Sequence, residues 1–274
     1  MTPIFTKTPS SNRRQPAGRA SAREDGRGHG RRRTAGLFLL FALPLLFFPP
    51  SVATQGDPFL DIRQDMVEEQ VKRRGHGEIA PSVLTAMVDV PRHLFVPKNL
   101  EELAYEDRPV EIAPGKTLSQ AYVSARMIDL LELDGDEKVL EIGTGSGYDA
   151  ALLSRLAKQV YTIEIDSQLG VKAREKLDLL GYENIEVRVG DGYRGWPEEA
   201  PFDAILLTAA PHRVPEPLFQ QLAIGGRMVV AVGNPLHQDL KVIVKTPEGD
   251  RQMRRVSLIS LAPMTGEIDD QPGE

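Results

Sequence analysis

Three carboxylates and a cluster of glycines are the residues best placed to do chemistry in this chain. The stretch KVLEIGTGSGYDAAL, residues 138–152, reads as a strand, a glycine-rich turn and a helix. Gly143, Gly145 and Gly147, with Thr144 and Ser146 between them, let a backbone approach a ligand closely and adopt positive φ. A phosphate loop of the GxxxxGK[ST] kind needs a lysine that is missing here, and a GxGxxG dinucleotide fingerprint is broken by Tyr148 at its third position. Glu141 stands two residues before the first glycine. A carboxylate there repels a pyrophosphate and attracts a cation. S-adenosylmethionine, which has no phosphate but carries a sulfonium and an α-ammonium, suits such a turn.

Two further acids agree. Glu164 closes the next strand signal, 21 residues after Gly143, where an acid bonds ribose hydroxyls. Asp191, followed by Gly192, closes the third, where an acid can accept from an adenine amino group. Any one of them alone is as readily a solvated strand-end carboxylate. Three at successive strand ends beside a glycine turn favour a nucleoside cofactor.

These positions require strands that alternate with helices. From Ser119 onward, strand signals at 138–142, 160–164, 185–189 and 203–207 alternate with helical patterns at about 120–132, 148–157 and 167–180, and a helix follows Pro215 or Pro217. That order predicts an α/β fold with a doubly wound, mostly parallel sheet of Rossmann-like type. Strand signals at 227–232, 240–245 and 253–260 follow, and the last two leave no room for a helix between them, so an antiparallel edge is expected. Upstream, Asp57 as N-cap and Pro58 open a helix ending near Gly75, a second helix follows Pro81, and VPRHLFVP reads as an irregular connection. Residues 57–118 are therefore expected to form a helical and loop-rich cap within a single domain over 56–274, with the Rossmann-like core at 119–265.

Residues 1–55 differ from the rest. They hold nine Lys/Arg against two Asp/Glu, a balance of +7, which leaves −13 of the chain's −6 for the remainder. An acidic main domain is a poor match for nucleic acid. Residues 1–36 lack apolar periodicity and read as disordered. RRRTAG then leads into LFLLFALPLLFF, too short for a membrane span of about 20 residues but suited to a signal-peptide core, with small residues in SVA before a cut after Ala53. Segment 31–53 thus predicts export to the periplasm, with an uncleaved membrane anchor or an upstream extension as alternatives. The chain has no cysteine, which removes disulfides, thiolate metal sites and a thiol nucleophile.

VLEIGTGSGYDAALLSRLAKQVYTIE, GDGYRGW, PFDAILLTAAP and LISLAPMTG, with VPRHLFVP, AYEDRPVEI and GKTLSQAYVSARMIDLLEL upstream, closely resemble the protein-L-isoaspartate O-methyltransferase family over about residues 57–265. The resemblance implies a Rossmann-like methyltransferase that uses S-adenosylmethionine to methylate the free α-carboxylate of isoaspartyl residues, which begins repair of damaged proteins. Its partners would be isoaspartyl proteins and peptides. No metal or nucleic acid is implied, and a monomer is expected. The family's active-site serine falls on Ser119, and its cofactor contacts on Glu141, the turn 143–147, Glu164, Asp191 and Gly192. Thr117, Thr208, Ala209 and Ala210 are candidate substrate contacts. The sequence departs from the family's usual GQTISQP at Lys116 and Ala121. The family is typically cytosolic, which makes a cytoplasmic location the alternative to export.

A carboxylate acceptor is ionised at pH 7, so transfer of a methyl from a sulfonium needs no general base. Holding the reactants in line can supply roughly 7–11 kcal/mol. Ser119 would orient the acceptor, though it also stands where a helix starts and Ser is a favoured N-cap. Thr208, Ala209 and Ala210 are small enough to admit a peptide, or simply make a tight strand exit. Two other readings stay open: a methyltransferase of this fold with another carboxylate or small-molecule acceptor, and a non-catalytic cofactor-binding module.

Overall fold

The computed structural model describes residues 57–270; the N-terminal signal-like segment lies outside them. The chain enters through α1 (Leu60–Asp65), which continues as a π-helical turn Met66–Lys72, and then α2 (Pro81–Asp89). Asp57 does not cap the helix directly. Its Oδ1 accepts from Phe59 N–H at 2.9 Å and its Oδ2 from the buried Arg63 guanidinium at 2.9 Å. The helix begins later because that tie forms a turn first. Arg63 also donates to Tyr105 Oη, and the Tyr105 hydroxyl lies 2.7 Å from His93 Nδ1. Phe59 stacks on His93 at 4.1 Å. Burial holds the His93 pKa below its ordinary 6.5, with the Asp57 charge opposing and the Arg63 charge assisting. A neutral imidazole accepting from the tyrosine satisfies both rings.

VPRHLFVP forms a 3-10 turn, Arg92–Phe95, followed by another at Lys98–Tyr105. The segment expected to be helical and loop-rich also holds an antiparallel hairpin, β1 (Val110–Ala113) and β2 (Lys116–Leu118), turned at Gly115 with φ 71°. Its strands are three and four residues long, too short for period-2 alternation to register.

Next come α3 (Ala121–Asp129), β3 (Lys138–Ile142), α4 (Tyr148–Ser154), β4 (Gln159–Glu164), α5 (Ser167–Leu179), β5 (Ile185–Val189), β6 (Phe202–Leu207), α6 (Glu216–Gln220), β7 (Leu222–Asn234), β8 (His237–Lys245) and β9 (Arg251–Ile259). One sheet holds β3 to β9 in the order β5-β4-β3-β6-β7-β8-β9. The first five run parallel to one another, while the β7–β8 and β8–β9 pairs at one edge are antiparallel, as the missing connecting helix required. Successive residues of the central strands point to opposite faces. Val139, Ala204, Leu206 and Val229 join the core formed with the cap, α3 and α4, whereas Leu140, Ile142, Ile205 and Leu207 join the one formed with α6 and the C-terminal segment. Both faces are covered, so β3 and β6 read as near-continuous apolar runs. The chain leaves β3 for the glycine turn where the strand order reverses, the position at which open α/β sheets bind ligands.

Candidate active site

The turn after β3 is built by backbone geometry. Gly143, Gly145 and Gly147 take φ of 103°, 56° and 91°. A Cβ on Gly143 would lie 2.5 Å from Thr208 Oγ1, so this glycine is demanded by contact as well as by conformation. Thr208 Oγ1 hydrogen-bonds Gly143 O at 2.7 Å, which ties the end of β6 to the turn. Gly147 does not face the ligand side. It precedes α4 and packs against Leu177.

Around the turn lies a cleft of about 810 Å³, counting its open mouth, and most of the expected residues meet there. Ser119, Thr117, Gly143, Thr144, Gly145, Ser146, Glu164, Gly192, Thr208 and Ala209 line it. Glu164 is buried in the cleft lining, with Oε2 accepting from Gly145 N–H at 2.8 Å and Oε1 from Asp166 N–H at 3.0 Å.

Three more expected contacts, besides Gly147, lie elsewhere. Glu141 is fully buried in the sheet and does not reach the cleft. Thr162 donates to its Oε2 at 2.6 Å and stands 2.6 Å from the Thr144 hydroxyl, so Glu141 supports the turn from beneath. Burial pushes its carboxyl well above the ordinary range, Asp149 and Glu164 push the same way, and the Thr162 hydrogen bond opposes. Asp191 receives Tyr193 N–H at 2.8 Å and Glu267 N–H at 2.6 Å, which anchors the C-terminal segment. Ala210 is buried and exchanges backbone hydrogen bonds with Ala262 and Met264, each at 2.8 Å. It is the tight strand exit rather than an acceptor contact.

Ser119 is not a helix cap: Gln120 holds that position, and no side chain caps α3. Its carbonyl is held by the fully buried Arg92, which also donates to Ala104 O at 2.7 Å and lies over the Tyr148 ring at 4.9 Å. Arg92 thus joins the cap, the serine and α4, a role hidden in what reads as an irregular connection. The sequence reading also missed the C-terminal wall, Ala262, Pro263, Met264 and Thr265, and it missed Asp149, which lines the cleft. Asp149 shares one face of α4 with the buried Leu152 and Leu153, three and four residues on, and an acid on an apolar stripe was the available signal. Trp196 packs on Tyr161 at 5.2 Å, away from the cleft lining. Lys116 lines the cleft and Ala121 is buried at the start of α3.

The family model for protein-L-isoaspartate(D-aspartate) O-methyltransferase matches residues 63–269. The chain belongs to this family. Protein-L-isoaspartate O-methyltransferase 2 of Shewanella sediminis is 48% identical over 242 residues, 87% of this chain and 98% of that one. A Syntrophobacter fumaroxidans protein-L-isoaspartate O-methyltransferase 1 is 52% identical over 191 residues, 70% of this chain and 88% of the other. A solved protein-L-isoaspartate O-methyltransferase superposes with TM-score 0.68 at 28% identity, covering 75% of this chain and 67% of that one. The family's S-adenosylmethionine fits the cleft: Ser146 Oγ and Asp149 Oδ1 line it, buried and without hydrogen-bond partners, and the glycines leave the turn open. Bound there, the cofactor supplies an electrophilic methyl group. The turn and Glu164 would hold it, and the acceptor would enter on the Ser119 side of the cleft.

Proposed function

We propose that this protein transfers a methyl group from S-adenosylmethionine to the free α-carboxylate of L-isoaspartyl residues in damaged proteins, the step that begins their repair. The observation that carries this is the placement of Ser119, uncapped and tethered through its carbonyl, in one cleft with the family's glycine turn. Ser119 donates a hydrogen bond to the acceptor carboxylate and orients one oxygen toward the methyl group. Thr208 keeps the turn and the acceptor side in register through Gly143. The segment Ala262–Thr265 walls the cleft. No residue needs to take a proton, because the acceptor is already ionised.

The test is transfer of label from S-adenosylmethionine by the full chain to a peptide containing isoaspartate and to its aspartate twin. Base-labile labelling of the isoaspartyl peptide alone supports the reading, and labelling of neither, or of both alike, overturns it. Lys116 on the cleft wall favours a second reading, another carboxylate acceptor, which predicts methylation of small carboxylates instead.

A monomer is proposed, to be checked by size-exclusion chromatography with light scattering. Export through segment 31–53 is proposed as well. Residues 1–55 are roughly a fifth of the chain, so a relative matching 87% of it shares part of that segment, which supports its being a true part of the protein. Fractionation of tagged full-length protein tests this, and a cytosolic, uncleaved product sinks it.

A further inference from the structure

Four carboxylates surround the glycine turn, and their hydrogen bonds separate them. Both oxygens of Glu164 receive backbone N–H groups, and so do those of Asp191. Glu141 Oε1 and Asp149 Oδ1 have no partner, but Glu141 is sealed in the sheet, whereas Asp149 lines the cleft. Asp149 is therefore the one carboxylate here with an unpaired, buried oxygen on the ligand side. A buried acceptor left unpaired keeps its full desolvation penalty, so a donor belongs there.

The elements that line the cleft say which donor. Gly192, Ile165 and Leu169 line the end beyond β4 and β5, and Glu164 follows at the end of β4, where an acid bonds ribose hydroxyls. Asp149, in the first turn of the helix α4 that the glycine turn leads into, lines the same cleft, as does Ser119. A nucleoside laid with its ribose at Glu164 and its base toward Gly192 points its remaining substituent toward Asp149. In S-adenosylmethionine and its demethylated product that substituent ends in an α-ammonium, a cation with three donors.

We propose that Asp149 is the residue that binds the α-ammonium of the cofactor's amino-acid end. This rests on the cofactor reading above. Burial holds the Asp149 carboxyl above its ordinary range, while Ser124 and Arg92 beside it pull it back. An ammonium at Oδ1 stabilises the ionised form further. Asp149 then selects for the complete amino-acid end, while the turn and Glu164 hold the adenosine.

The test compares two ligands by calorimetry on the full chain: S-adenosylhomocysteine, and 5′-methylthioadenosine, which keeps the adenosine and the thioether but lacks the amino-acid end. Asp149→Asn should weaken S-adenosylhomocysteine roughly tenfold to hundredfold, the value of one charged hydrogen bond, and leave 5′-methylthioadenosine unchanged. Equal loss for both ligands, or no loss for either, overturns the proposal. The unaltered protein gives a second measurement that does not depend on the variant folding. S-adenosylhomocysteine with its α-amine replaced by hydrogen should bind more weakly by a similar factor, and equal binding overturns the proposal. If the unaltered protein binds neither parent ligand, the cofactor reading fails and this proposal with it.

Discussion

The cofactor side and the acceptor side of the cleft are held by different means. The cofactor side is local: Gly143 N–H bonds Ile163 O, Gly145 N–H bonds Glu164, and the Thr144, Thr162 and Glu141 side chains stack their hydrogen bonds beneath. All of it comes from two neighbouring strands and their exits. The acceptor side is assembled from the β1–β2 hairpin, Ser119, the exit of β6 and the C-terminal segment, which are far apart in the sequence. One long side chain, Arg92, fixes the serine. The first arrangement should tolerate changes elsewhere but no change to its backbone. The second should lose alignment before it loses binding.

The largest effect is expected from Gly143→Ala. The left-handed backbone costs a non-glycine residue about 1–2 kcal/mol. The Cβ placed 2.5 Å from Thr208 Oγ1 adds about 1–3 kcal/mol more. S-adenosylhomocysteine binding, followed by calorimetry, should weaken by at least roughly thirtyfold. Intact binding with lost transfer would place Gly143 on the acceptor side and break the division drawn here.

Ser119→Ala should act in the opposite way. Loss of its hydrogen bond to the acceptor carboxylate lowers kcat/KM for an isoaspartyl peptide by roughly tenfold to hundredfold. S-adenosylhomocysteine affinity stays the same, and stability shifts by less than about 0.5 kcal/mol, because Ser119 caps nothing. A matching fall in cofactor affinity would merge the two sides.

The same contrast explains what could be read from the sequence. The cofactor side was legible because strand, glycine turn and strand-end acid recur at short, fixed spacing, and the sheet order followed from alternation and one missing helix. The acids were found, but their roles were not. Glu141 and Asp191 turned out to bond the protein itself, since whether a carboxylate faces a ligand depends on which backbone N–H groups reach it first. The acceptor side was legible only at Thr117, Ser119, Thr208 and Ala209. Arg92 and the Ala262–Thr265 wall act through contacts made across long stretches of chain, and no local pattern encodes them.

The smallest effect sharpens the comparison through pH. Glu141, beneath the cofactor side, has its folded pKa raised well above 4.5 by burial, so the folded state holds that proton more tightly than the unfolded one. Its contribution to stability is complete below pH 4.5 and is lost as pH rises through the folded pKa. His93, in the cap, has its folded pKa held below 6.5, so the unfolded state is the better proton acceptor. Its contribution is complete above pH 6.5 and is lost as pH falls toward the folded value. Each group changes stability by at most about 1.4 kcal/mol per pH unit, with opposite signs. Urea unfolding of the cofactor-free protein across pH should therefore show Glu141→Gln removing a decline that sets in as pH rises above 4.5 and His93→Gln removing one that sets in as pH falls below 6.5. If Glu141→Gln instead leaves the decline above pH 4.5 unchanged, the carboxyl is ionised beneath the turn throughout, and the support of the glycine backbone comes from a buried charge rather than from a shared proton.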